Sequence, residues 1–410
     1  MNNVKLADTP IRGCMRYFAK YVREEFRMAD SWAPGSGAGR KRPGEAVRPR
    51  SVAMGENQQV SPTLAPPALH VERGISLRGL NSFGLPAVAH TLVKIEADAD
   101  VRRVLDHPAL GPAPKLVLGG GSNLVLTRDP QAVVLHVRVP GARLVAETDD
   151  AWTVEFGAGM SWHDAVCWTL AHGMPGLENL ALIPGSVGAA PVQNIGAYGL
   201  ELAERFDSLD AVDLVTGRGV RLDARACAFG YRDSVFKHGG FGGLAGKSLI
   251  TRVRLRLPKP WRPVLGYLDL ERRMVETSNF HPDAQTIFDW VCAIRRAKLP
   301  DPAEIGNAGS FFKNPVVSPE QCRDIIGRDP HIVHYPLADG RCKLAAGWLI
   351  DACGWKGKSI GGAGVYERQA LVLINRGGAS GAEVLTLARA IQESVYGRFG
   401  IRLEPEPVIV

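Results

Sequence analysis

The sequence lacks several features that would assign a protein at once. Its seven cysteines (Cys14, Cys167, Cys227, Cys292, Cys322, Cys342 and Cys353) are odd in number and scattered, with no Cys-x-x-Cys pair and no Cys/His cluster. Neither a disulfide framework nor a metal site is indicated. No apolar run approaches the ~20 residues that cross a bilayer, and the N-terminus has no apolar signal-peptide core. Membrane insertion is therefore not expected, and a reducing, cytoplasmic setting is. Charge of one sign is scarce as well. The 410 residues carry a formal +7, but residues 1–70 hold eleven Lys/Arg against six Asp/Glu, a balance of +5, which leaves only +2 on the other 340. A nearly neutral body argues against a nucleic-acid surface.

What is present reads as globular: 45% hydrophobic and 22% charged residues, at a length that allows two to three domains. Residues 1–75 stand apart. Ala33 to Pro49 is rich in Gly, Pro and Arg without periodicity, so an N-terminal extension lacking order is expected. Its Arg40–Arg42 run leaves one alternative, a tail that touches nucleic acid or an anionic membrane. From about Ser76 the chain alternates strand-like runs (Lys115–Leu118, Leu124–Thr127, Ala132–Val139, Trp152–Phe156, Asp210–Leu214, Leu249–Leu257, Ala370–Ile374) with helical spacing at Trp162–His172, Thr286–Arg296 and Gly381–Phe399. Two of these helices end at glycines, Gly173 and Gly400. With no regular βαβ alternation and no internal repeat, the fold class is α+β.

Five segments carry candidate chemistry. Gly119-Gly120-Gly121-Ser122-Asn123 permits positive φ and close backbone approach, and its successive amides can cradle an anion. The flanks read as strands and no Gly-Lys-Ser/Thr follows, so neither a Rossmann turn nor a P-loop fits; alone, the segment reads as a hairpin turn. Leu182 to Gly199 is rich in glycine and alanine and has no charge between Glu178 and Glu201. Two such loops point to a dinucleotide held by backbone, with Gln193 and Asn194 offering amides. In Phe229–Lys237, Arg232 can clamp a carboxylate bidentately, unless it merely pairs with Asp233 at a surface turn. In Gly306–Pro315, Ser310 follows a glycine and precedes two aromatics, so a tight, water-poor turn is expected. Outside a G-x-S-x-G frame its hydroxyl is better placed to donate a proton than to attack. The end, Leu403-Glu-Pro-Glu-Pro407, reads by itself as a solvated tail.

In order along the chain, these segments resemble the UDP-N-acetylenolpyruvoylglucosamine reductases, the MurB family. The strings that carry the likeness are GMPGLENLALIPGSVG (173–188), QNIGAYG (193–199), FGYRDSVFK (229–237), AGSFFKNP (308–315) and KLAAGWLID (343–351). The surroundings of Tyr267 resemble the tyrosine loop of the family form with a substrate-covering insertion. The resemblance implies a two-subdomain FAD-binding fold of the vanillyl-alcohol-oxidase type (76–139 and 140–300), a C-terminal α/β substrate-binding domain (301–400) and an end segment (401–410).

It implies FAD held by Gly119, Gly120, Gly121, Ser122, Asn123, Pro184, Gly185, Gly188, Ala189, Ala190, Asn194, Gly196, Ala197 and Tyr198. It implies NADPH as hydride donor and a UDP-sugar enolpyruvate as small-molecule substrate, reduced by a monomer in peptidoglycan precursor synthesis. Arg232 and Glu406 match the family's stabilisers of the enolate-like charge, and Ser310 its proton donor. Tyr231, Tyr267, Lys298, Asn314 and Gln369 match substrate-binding positions, with Tyr267 and Lys298 at the diphosphate. Two departures stand out: Ala189 and Ala190 replace two flavin-loop serines, and Pro407-Val408 stands where relatives carry an arginine. Another FAD oxidoreductase of the same fold would need neither Arg232 nor Ser310.

Overall fold

Val133–Val137 is buried at all five positions, as suits the middle of a parallel sheet covered on both faces. The structure is a computed structural model that describes residues 68–239 and 243–410. In it this strand lies between Val88–Ile95 and Lys115–Leu118, parallel to both, and His70–Ser76 closes one edge antiparallel. That edge strand corrects the expectation of an unordered segment up to residue 75: its side chains are mostly exposed, and backbone pairing with Val88–Ile95 orders it. Residues 1–67 of the expected extension, including Arg40–Arg42, lie outside the described residues.

The sheet divides two cores by alternation. Val93, Ile95, Leu135 and Val137 face the first core, while Leu92, Leu118 and Val134 face the second. The first core is completed by a five-stranded antiparallel sheet, in the order Gly219–Asp223, Phe206–Asp213, Ser248–Pro258, Ala151–Gly157, Ala142–Glu147. Along Ser248–Pro258, Val253, Leu255 and Leu257 are fully buried, while Arg252, Arg254 and Arg256 take the opposite face, where Arg254 joins Glu155 and Asp210. The helices Trp162–Ala171 and Ala284–Lys298 pack their apolar stripes on this core.

The second core belongs to the C-terminal part. Asn307–Ser310, Val372–Asn375, Ala363–Val365 and Ser359–Ile360 form one sheet, and Val316–Val317, Cys342–Leu344 and His334–Pro336 a smaller one. The helix Gly381–Phe399 has the ends its sequence implies: Ser380 and Glu383 form a reciprocal capping box, and Gly400 closes it at φ +69°. The chain end then returns. Val408–Ile409 pairs parallel with Leu124–Val125, the segment that leaves the glycine run. The run is therefore not a hairpin turn, because Lys115–Leu118 before it pairs with Val133–Val137 and Leu124–Val125 after it with the chain end.

Candidate active site

Non-glycine residues at positive φ are rare and costly. Six occur among the described residues, and four of them, Leu182, Asn194, Tyr198 and Arg232, fall in the two segments singled out above. The strain is concentrated where these loops meet. Gly120 packs so closely on the second loop that an added methyl would come within 2.9 Å of the Gly185 Cα, and one at Gly119 within 2.6 Å of Ser186 Oγ. Ser122 Oγ donates to Pro184 O at 3.1 Å, and Asn123 Nδ2 donates to Gln193 Oε1 and to Glu406 O. Glycine run, second loop and chain end are thus one construction.

Two connected hollows open in it. The first is walled by Gly119–Asn123, Trp162, Ser186, Ala189, Ala190 and Val408, and the second by Ser122, Asn123, Pro184, Gly196, Arg232, Arg295, Ser310 and Glu406. The first hollow fits a dinucleotide cofactor. Its glycines admit no side chain, Ser186 Oγ is buried with no hydrogen-bond partner, and the amides of Gly120 to Asn123 donate to no protein group among the described residues. Such unspent donors along a curved backbone suit a diphosphate. Asn194 contributes differently from expectation: both its amide hydrogens go to Glu201 and to Gly230 O, and its oxygen accepts from Ala203 N, so its side chain ties loops together.

In the second hollow Arg232, Ser310 and Glu406 converge. Arg232, at φ +54°, donates through Nη2 to Gly196 O at 2.7 Å, and its Nε lies 3.6 Å from Glu406 Oε1. Asp233, the alternative partner, pairs with His238 instead. Glu406 is held by a strand-like pairing, its N–H donating to Phe311 O at 2.9 Å, and its side chain is buried. The solvated-tail reading therefore applies only to Glu404, which is exposed and paired with Lys313. Burial pushes the Glu406 carboxyl above the usual glutamate range, in spite of the nearby Arg232, Lys237 and Lys313.

Ser310 departs from expectation. Phe311 and Phe312 after it are fully buried, but Ser310 itself is exposed to the hollow. The cause is a bulge in the pairing of Asn307–Ser310 with Val372–Asn375, with Gly309 at φ +68° and its N–H donating to Asn307 Oδ1. Such bulges re-aim a side chain.

The expected substrate residues stand beside the hollow. The Tyr231 hydroxyl lies beside the Asn314 backbone, and Asn314 Oδ1 accepts from Ala346 N at the start of the helix Ala346–Ala352. Gln369 lies against Gly347 of that helix. The Tyr267 ring meets that of Tyr198 edge-on at 5.1 Å, and burial, then Tyr335, pushes its hydroxyl up to about 12. Lys298 is not free for an anion in this arrangement, because Nζ binds both oxygens of Asp269 at 2.6 Å. Arg295 was missed by sequence reasoning. It faces the hollow beside Tyr198 and has no carboxylate partner among the described residues, and burial lowers its pKa. The signal was its place three residues after buried Cys292 and four after buried Val291, on the flank of the helix's apolar stripe.

Residues 89–225 match the model of an FAD binding domain, and residues 301–410 that of the UDP-N-acetylenolpyruvoylglucosamine reductase C-terminal domain. A UDP-N-acetylenolpyruvoylglucosamine reductase of Paraburkholderia xenovorans (strain LB400) is 58% identical over 339 residues, 82% of this chain and 96% of its own. The chain belongs to the UDP-N-acetylenolpyruvoylglucosamine reductase family. A second reductase, of Azoarcus sp. (strain BH72), is 56% identical over 351 residues, 85% of this chain and 99% of its own. The crystal structure of the Thermus caldophilus MurB matches with a TM-score of 0.56 at 25% identity, covering 83% of this chain and 99% of that one. Membership makes the chain an FAD-dependent oxidoreductase of peptidoglycan synthesis, acting on a UDP-sugar.

Proposed function

We propose that the enzyme reduces the enolpyruvyl group of UDP-N-acetylglucosamine enolpyruvate to UDP-N-acetylmuramate, with NADPH as the electron source. The observation that carries this reading is that Arg232, Ser310 and Glu406 wall one hollow continuous with the glycine cradle. FAD, held by Gly119–Asn123 and the loop from Pro184 through Tyr198, would supply a two-electron carrier that takes hydride from NADPH and delivers it to C3 of the enolpyruvyl group.

The protein's own residues handle what hydride addition creates at the substrate. Negative charge develops at C2 and spreads onto the carboxylate, so preorganised donors aimed there lower the barrier. The Arg232 guanidinium is already oriented by the Gly196 carbonyl, and it pairs with that carboxylate. Burial favours the protonated form of Glu406, and in that form it donates a hydrogen bond to the same charge without opposing it. Ser310 then passes its hydroxyl proton to C2. A serine is a very weak acid, so it protonates only a carbon this basic, and its exposure to the hollow lets solvent restore the proton. Tyr231, Tyr267, Asn314 and Gln369 hold the nucleotide beside this centre. No helix among the described residues is long and apolar enough to cross a membrane, and we place the enzyme in the cytoplasm, where its soluble substrates are.

The test is the visible spectrum of the purified protein, followed by NADPH oxidation with and without the enolpyruvyl substrate. Flavin absorbance and substrate-dependent NADPH loss are expected; absence of either overturns the reading.

A further inference from the structure

Leu182 stands at φ +56°, a conformation that persists in a residue with a side chain only where its surroundings impose it. It opens the second cofactor loop, and Ile183 and Pro184 after it line the hollows. The first turn of the helix Trp162–Ala171 holds it there. Trp162 N–H donates to Gly185 O at 3.0 Å and its indole Nε1 to Leu180 O at 2.9 Å, which fastens the chain on either side of Leu182. The Leu182 N–H itself donates to His163 Nδ1 at 3.1 Å. That bond sets a protonation state. Nδ1 must offer a lone pair, so the neutral ring carries its proton on Nε2, which lies 3.7 Å from Cys167 Sγ, a weak acceptor. The ring lies flat against Phe288 of the helix Ala284–Lys298, with centroids 5.6 Å apart and planes 6° from parallel.

The charges around the ring favour this neutral form. Burial lowers the His163 pKa, Arg296 and Arg295 of the helix Ala284–Lys298 act in the same sense, and Asp164 beside it opposes them. The Cys167 thiol is pushed up by burial and stays uncharged, and Leu180–Gly185 carries no titratable side chain. A second proton would turn Nδ1 into a donor facing the Leu182 N–H and leave that amide without its acceptor. His163 itself lines neither hollow.

We propose that His163 is a positioning residue for the flavin: its neutral imidazole holds the Leu182 turn, and through it Ile183 and Pro184, in the shape that receives FAD, and a proton on Nδ1 releases that hold. The claim concerns the cofactor alone and stands apart from the choice of substrate.

The test measures FAD affinity of the full chain, stripped of flavin, by fluorescence titration between about pH 5 and 8. Two variants accompany the wild type: His163→Leu, which fills the space without an acceptor, and His163→Asn, whose amide oxygen accepts near the Nδ1 position but does not titrate. Wild-type affinity should be flat at the upper end and fall by up to about tenfold per pH unit once His163 takes up its proton, below the ordinary histidine range. At the upper end His163→Leu should bind FAD about ten- to a hundredfold more weakly, with His163→Asn recovering most of that loss, and both should lack the acid limb. Melting temperatures of the stripped proteins report folding, and if the leucine variant does not fold, the acid limb of wild type against His163→Asn decides alone. FAD affinity of His163→Leu within about twofold of wild type, or an acid limb of equal size in His163→Asn, overturns the inference.

Discussion

Gly120→Ala isolates the role of the glycine cradle. Gly120 is not at positive φ, so alanine carries no backbone penalty there and only the methyl acts. That methyl would fall 2.9 Å from Gly185 Cα, 3.1 Å from Gly185 C and 3.2 Å from Ser186 N, all of them backbone atoms that cannot swing aside. The two loops must separate by several tenths of an ångström, and overpacking of this kind costs about 1–3 kcal/mol. Because the loops wall the cofactor hollow together, the cost falls on FAD binding, which should weaken about five- to a hundredfold. The assay is FAD titration of stripped protein, with Gly219→Ala as control, since a methyl there meets nothing within 4 Å. A Gly120→Ala protein that binds FAD as tightly as wild type would refute the cradle.

Glu406→Gln tests the neutral carboxyl. Burial raises the Glu406 pKa, so the protonated donor persists above the usual carboxylate range and is lost as pH rises through the raised value. Wild-type turnover should fall along that limb, whereas the Gln variant, slower by about tenfold, should lack it. By linkage the wild type also loses stability on ionising Glu406 over that window and the variant does not, which melting curves against pH would show. Arg232→Lys removes the bidentate geometry but keeps the charge, and kcat/KM should drop about ten- to a hundredfold. Unchanged kinetics would dismiss the clamp.

Local features were the legible ones. The helix Gly381–Phe399 was read from its spacing and its end at Gly400, because a C-terminal glycine cap is settled within one turn. Both cofactor loops stood out because glycine without charge is unusual for a surface segment. The juxtapositions were less legible. Nothing near Glu406 in sequence says that Val408–Ile409 pairs with Leu124–Val125, which brings the Glu406 backbone carbonyl onto Asn123 Nδ2. Ser310 was read as enclosed because two large aromatics follow it; they do bury, but the bulge at Gly309 turns the hydroxyl outward. Lys298 suited an anion by residue type, yet its partner Asp269 comes from the preceding helix, 29 residues earlier. Partnership across such distances decides which cation is free.

The central claim is that Ser310 delivers the proton that completes substrate reduction. An anaerobic stopped-flow experiment on Ser310→Ala tests it most directly, following the flavin band first with NADPH and then with the enolpyruvyl substrate. The account predicts bleaching by NADPH at close to the wild-type rate, followed by loss of reoxidation by substrate. Reoxidation at the wild-type rate, or equal loss of both steps, would contradict it.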